Sequence, residues 1–184
     1  MSILTKIFLL CHIVQGMRFL RDKLIIHCDI KAGNVLLSRN LTAKLCDFGD
    51  SIVAGPSGFG ESISTSLTPF FSPPEVYGRD IYPHSKLDVY SLGVLMFEML
   101  FNRYPYELSL GSSFQYHINR KNIDFSQLHK IQAERMMGYG PRELLECIAQ
   151  LCLQCFSKDP LLRPGLDNIL VVLRLSMNYL TKLF

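Results

Sequence analysis

Two short segments place acids, an amide and a lysine at spacings that suit one kind of chemistry: His27-Cys28-Asp29-Ile30-Lys31-Ala32-Gly33-Asn34-Val35-Leu36-Leu37 and, further on, Asp47-Phe48-Gly49. A hydroxyl attacking the terminal phosphate of ATP needs an acceptor for its proton and a fixed line of approach, and a carboxylate such as Asp29 supplies both at neutral pH. Magnesium is a hard cation that takes oxygen ligands and keeps several of its waters. One amide oxygen from Asn34 and one carboxylate from Asp47 are therefore a sufficient protein share. Lys31 adds positive charge beside the transferred phosphoryl group. Singly these residues say little, since an Asp or Asn after an apolar run is more often a turn former or a helix cap. The ordered set carries the reading.

Such a site needs rigid flanks. Ile25-Ile26 before the first segment, Val35-Leu36-Leu37 at its end and Leu45 ahead of Asp47 predict short buried strands that bring the two acids to one edge. Ile3, Ile7, Leu10, Val14 and Met17 recur at spacings of four and three, which predicts an N-terminal helix. The rival reading, a signal peptide, lacks a small-residue cleavage pattern, and His12 and Gln15 interrupt its apolar stretch. No run approaches the roughly twenty apolar residues of a bilayer span, so no membrane span is expected. Asp88 to Leu100 is apolar almost all round and predicts a helix buried in the middle of the domain.

Together these segments resemble the catalytic loop and metal motif of protein kinases, which read His-Arg-Asp, then Lys two and Asn five positions after the Asp. Only the Arg is changed here, to Cys28. Thr68-Pro69-Phe70-Phe71-Ser72-Pro73-Pro74-Glu75 resembles the end of a kinase activation segment, with Pro73 where Ala is usual. Asp88-Val89-Tyr90-Ser91-Leu92-Gly93-Val94 resembles the central helix, and Cys155-Phe156-Ser157-Lys158-Asp159-Pro160-Leu161-Leu162-Arg163-Pro164 the late segment whose Arg pairs with the Glu of the earlier motif.

The resemblance implies roles. Asp29, Lys31 and Asn34 would be catalytic. Lys31, Asn34, Leu36 and Asp47 would contact ATP, with Asn34 and Asp47 holding Mg2+. Thr68 would face the protein substrate, and His27, Asp88, Glu75 and Arg163 would support the site. Asp88 would hydrogen-bond the catalytic-loop backbone, and Arg163 would pair with Glu75, a contact that suits the bidentate fork of Arg better than Lys. Residues from about 47 to 75 would form the activation segment, with Ser62, Ser64, Thr65 and Ser66 as candidate phosphosites. Lys31 and Thr68 point to a serine/threonine kinase, and Asp88 to Val94 with Arg163-Pro164, Ile169-Leu170 and Leu173 to the tyrosine-kinase-like group.

The resemblance also implies half a domain. Kinases grip ATP with a first lobe carrying a Gly-rich loop, a strand Lys and a helix Glu, and none of these motifs occurs in the chain. Residues 1–184 are thus expected to be a kinase carboxyl-terminal lobe, mainly α with a few short β strands. Its partners would be a protein substrate and the missing amino-terminal lobe, and the isolated chain would be inactive or very weak. The alternative is a non-catalytic kinase-like binding or scaffold module. Cys28 offers neither the charge nor the fork that an Arg gives an activation-loop phosphate, so activity is expected not to depend on loop phosphorylation through this residue.

Composition suits a single domain: 184 residues, 48% hydrophobic and 19% charged, with mean hydropathy +0.19. A net charge of +3 is too small to argue for nucleic acid as a partner. Cys152 and Cys155 form a CxxC pair near Cys147, but no second pair or flanking His completes a zinc set. Buried reduced thiols in an apolar helix are expected instead, which favours a reducing, cytoplasmic compartment. His117 and His129 lack a matching carboxylate pattern, and the stretch from Asn102 to Gly140 is assigned no chemistry.

Overall fold

The computed structural model describes residues 1–53, 68–77, 84–102 and 141–183. The candidate phosphosites Ser62, Ser64, Thr65 and Ser66 lie outside these residues, as do His117 and His129. What is described is mainly helical, with four very short strands.

Helix α1 (Ile3–Asp22) starts at Ser2, whose hydroxyl accepts the Thr5 N–H at 3.1 Å, satisfying one of the donors that a helix start leaves open. By length and composition α1 is long and apolar enough to cross a membrane, more so than the sequence reading allowed. Eight of its residues, among them Ile7, Leu10, Val14 and Met17, are buried in the core, as in a core helix of a folded domain.

Strands β1 (Ile25–Ile26), β2 (Val35–Leu37), β3 (Ala43–Leu45) and β4 (Ile52–Val53) make two antiparallel pairs. β1 pairs with β4, Ile25 opposite Val53, and β2 pairs with β3, Val35 opposite Leu45. The first pair brackets the candidate catalytic loop, and the second brings the residues before Asp47 alongside those after Asn34. The expectation of uniformly buried strands is corrected for β2, where Leu36 and Leu37 are 59% and 52% exposed. The cause is positional: it is β3 that packs against α1, so β2 runs along the rim.

Helix α2 (Lys86–Phe101) is buried continuously from Leu87 to Phe97, which is why its sequence shows no polar face. Helix α3 (Arg142–Cys155) packs on α2, and α4 (Leu166–Thr181) packs chiefly on α1. In α3 the residues Leu144, Leu145, Ile148, Leu151, Cys152 and Cys155 form the buried stripe. Cys147 lies about 100° around the helix from Ile148 and is exposed, correcting the expectation that all three cysteines of this helix are buried. All six cysteines are free.

The crossing of α2 and α3 depends on Gly93. A Cβ there would stand 2.5 Å from the Cβ of Cys155 and 3.2 Å from the Phe156 ring. Neither neighbour is the far end of a flexible chain, so the helices would have to part. Gly93→Ala should destabilise the chain by about 1–2 kcal/mol, the cost of overpacking less the helix-propensity gain of Ala. Urea unfolding checks this, and an unchanged or raised midpoint would remove the close approach as a constraint.

Candidate active site

The loop after β1 turns sharply, with Cys28 in the left-handed backbone region at φ 66°. Helix α2 holds that turn in place. Asp88, buried in its first turn, accepts the His27 N–H at 2.8 Å and the Cys28 N–H at 2.9 Å, one on each carboxylate oxygen. Burial pushes the Asp88 carboxyl pKa upward, and the two N–H donors pull against it. The His27 ring sits beneath the loop: Nδ1 accepts the Asp29 N–H at 3.4 Å and Nε2 donates to the Cys46 carbonyl at 3.1 Å. Its ring centroid is 4.9 Å from that of Phe48.

Asp29, 6% exposed, gathers three donors. The Thr68 hydroxyl donates to Oδ1 at 2.6 Å, while Lys31 Nζ and Asn34 Nδ2 reach Oδ2 at 2.6 and 2.7 Å. Lys31 Nζ also donates to the Thr68 hydroxyl at 2.8 Å, closing a triangle of carboxylate, ammonium and hydroxyl. Burial alone would raise the Asp29 pKa, but the hydrogen bonds from Lys31, Thr68 and Asn34 outweigh it and hold the carboxyl below its ordinary value. Asp29 is thus ionised at neutral pH, the form that can accept a proton from an alcohol.

Asn34 spends its amide nitrogen on Asp29, on both Oδ2 and the backbone carbonyl, so the amide oxygen is the atom it can offer a cation. Its own carbonyl accepts the Cys46 N–H at 3.0 Å, which brings Asp47 next in chain to the same corner. Asp47 is exposed and held in the left-handed region at φ 63°. An amide oxygen and a carboxylate suit a hard cation that keeps water and phosphate oxygens as its other ligands. Among the described residues no group of three or more His, Cys, Asp or Glu could hold a metal without such help. Leu36 presents an exposed apolar side chain on the same hairpin.

Glu75 and Arg163 also meet. Both terminal guanidinium nitrogens donate to the carboxylate, Nη1 at 2.5 Å and Nη2 at 2.7 Å, and the Arg163 side chain is fully buried. Arg163 further donates to the carbonyls of Ser157 and Lys86, and its guanidinium lies 5.1 Å from the Tyr90 ring centre. Lys86 returns the contact, donating to the Arg163 carbonyl at 2.6 Å. The end of the segment at 74–77, the start of α2 and the turn before α4 are thus tied at one point.

Sequence reasoning missed three serines. Ser51 donates to the His27 carbonyl at 3.2 Å, Ser72 to the Thr68 carbonyl at 2.8 Å, and Ser91 to the Phe71 carbonyl at 2.8 Å. The signal existed for Ser91: a hydroxyl in a helix apolar on every side must find an acceptor in the core.

A family model described as protein kinase domain matches residues 4–172. The chain is 42% identical over 102 residues to the serine/threonine-protein kinase par-4 of Caenorhabditis briggsae, covering 53% of this chain and 15% of that protein. It is 32% identical over 171 residues to the probable serine/threonine-protein kinase PBL2 of Arabidopsis thaliana, covering 86% and 38%. A putative serine/threonine-protein kinase/receptor of Acanthamoeba polyphaga mimivirus is 29% identical over 91% of the chain, which amounts to 9% of that protein. The chain therefore spans well under half the length of each of these relatives.

The depressed Asp29 pKa has a consequence for stability. The unfolded carboxyl titrates near 3.8 and the folded one lower, so the stabilisation is fully present above the unfolded value and is lost as pH falls through the folded one. Between about pH 5 and about pH 2 the wild-type chain should lose more stability than Asp29→Asn, read as the fall in urea midpoint. Equal acid losses in the two proteins would show that Asp29 contributes nothing to the titration.

Proposed function

The chain belongs to the protein kinase family, and from that premise we propose that it is the carboxyl-terminal lobe of a serine/threonine protein kinase that transfers the terminal phosphate of ATP to a protein hydroxyl. The observation that carries this is the triangle of Asp29, Lys31 and Thr68, with Asn34 as the fourth member. Asp29 accepts the proton of the incoming hydroxyl, and Lys31 offsets charge on the phosphoryl group. Asn34 and Asp47 would hold Mg2+ by oxygen, and Leu36 would contact ATP. The metal would neutralise charge on the phosphates. Thr68 marks where a substrate hydroxyl approaches. His27, Asp88, Glu75 and Arg163 hold these groups in position without touching substrate.

An amino-terminal lobe of the same protein completes the site in this reading. Its support is the apolar surface around Asp47: exposed Leu36, Leu37, Phe48 and Phe19, and a cavity of about 440 Å³ between α1 and β3, lined by Gly16, Leu20, Ala43 and Leu45 among others. Exposed apolar side chains beside a polar site suit a surface that a partner covers. The six free cysteines, four of them buried, suit a reducing cytoplasmic setting.

Radiolabelled phosphoryl transfer from ATP tests the reading in the two-lobe protein and in the chain alone. The two-lobe protein should be active and its Asp29→Asn variant slower by roughly 10²–10⁴-fold. The chain alone should fall far below ordinary kinase rates of about 1–100 per second. Binding of protein partners without any transfer would favour a non-catalytic module instead, and ordinary rates from the bare chain would overturn its dependence on a second lobe.

Regulation follows from Cys28. The side chain packs with Ile26, Val76 and Leu87, and burial first, then the nearby carboxylates Asp88, Asp50 and Asp29, push its thiol pKa up to about 12. A neutral thiol in an apolar cluster cannot receive a phosphate. Phosphorylating the loop should therefore leave the transfer rate nearly unchanged. A large gain that survives Cys28→Ala but vanishes when Ser62, Ser64, Thr65 and Ser66 are replaced would mean another cation receives the phosphate.

A further inference from the structure

Thr68 approaches Asp29 from a separate segment, and something must hold that segment at hydrogen-bonding distance from the catalytic loop. The Thr68 carbonyl accepts three donors: the Phe71 N–H at 3.0 Å, the Ser72 N–H at 3.2 Å and the Ser72 hydroxyl at 2.8 Å. These close a tight turn over residues 68–72. The turn is fastened to the core through the Phe71 carbonyl, which accepts the hydroxyl of Ser91 at 2.8 Å. Ser91 is 4% exposed and lies one turn of α2 beyond Asp88, on the same side of the helix.

The bonds close a ring. From α2, Asp88 holds the backbone of His27 and Cys28; Asp29 follows in the chain and takes the Thr68 hydroxyl; Thr68 is held by its turn to Phe71; and Phe71 is held by Ser91, back on α2. Two side chains three residues apart on one buried helix are therefore linked by these bonds to both Asp29 and the segment that faces it. We propose that Ser91 is a positioning residue for the acceptor side of the site, fixing Thr68 against Asp29 as Asp88 fixes the loop that carries Asp29. The functional half of this rests on the kinase reading above, while the positional half does not.

A buried helical serine has a bland alternative, bonding back to the carbonyl four residues earlier. That contact is present but long, 3.4 Å to Leu87, against 2.8 Å to Phe71. If Ser91 served only its own helix, its loss would leave the turn at 68–72 untouched. If it holds the turn, its loss leaves a buried Phe71 carbonyl without this donor, and the turn loosens locally.

The experiment compares the full chain with Ser91→Ala, a substitution that improves helix propensity and should fold. Hydrogen exchange should quicken roughly tenfold or more at the amides of Phe71 and Ser72, with His27 and Cys28, held by Asp88, unchanged. Unaltered exchange at Phe71 and Ser72, or an equal rise at all four amides, would overturn the proposal. Because exchange needs no phosphoryl transfer, that failure is distinct from failure of the kinase reading. In the two-lobe protein, Ser91→Ala should raise the KM for the protein acceptor and leave the KM for ATP unchanged; equal shifts in both would reduce Ser91 to a general packing role.

Discussion

A single buried carboxylate governs the geometry of the site. The loop that carries Asp29 is neither helix nor strand, and Cys28 within it takes a backbone conformation that a side chain disfavours. Such a turn persists only where its surroundings over-determine it. Asp88 does so by receiving two consecutive N–H groups that would otherwise be buried without partners. Its own burial would favour the neutral acid, which has one acceptor oxygen fewer to give. The two N–H bonds and the carboxylate therefore support each other, and loss of either leaves the other buried and unpaired.

That arrangement explains why α2 is apolar on all sides yet carries Asp88 and Ser91. A helix at the centre of a domain has no solvent face on which to place polar groups. Each one it retains must be answered by a partner brought in from elsewhere. The partners here are pieces of irregular chain, the loop at 27–28 and the turn at 68–72, which lack regular secondary structure of their own. The rigid element supplies the reference frame, and the irregular segments that bear the chemistry are measured from it. Arg163 does the same for the far end of the segment, bonding Glu75, Ser157 and Lys86 with a side chain that water does not reach. A lysine has one nitrogen to place, and it could not reach all three at once.

Much of this was legible in the sequence because the chemistry demands particular residue types at particular separations. Asp29, Lys31 and Asn34 lie within six residues, so any compact loop brings them together. Asp88 and the Arg163 and Glu75 pair were legible only through the family pattern, since separations of 60 and 88 residues carry no local signal. What stayed hidden depends on layer order. Leu36 and Leu37 read as a buried strand because apolar runs usually are, but periodicity cannot say that the neighbouring strand takes the place against α1. Cys147 was misplaced because a cluster of cysteines drew attention from the helical period that puts it off the buried stripe. Gly93 was read as part of a helix motif, whereas its absent side chain is what admits Cys155 and Phe156.

The two sides of the site differ in how far the chain completes them. Around Asp29 the site is buried, and the carboxylate oxygens are occupied by an ammonium, an amide and a hydroxyl, all of the chain's own making. Around Asp47 the site is open, and Asp47, Phe48 and Leu36 stand exposed. Electrostatic stabilisation of a transferring phosphoryl group gains most where water is excluded and the dipoles are already fixed. Only the surroundings of Asp29 meet that condition within these residues. Under the proposed reading, the second lobe therefore contributes more than contacts to ATP. By covering Leu36 and Phe48 it would lower the local dielectric around Asp47, so that orientation of the hydroxyl, built into this lobe, becomes productive once the nucleotide side is closed.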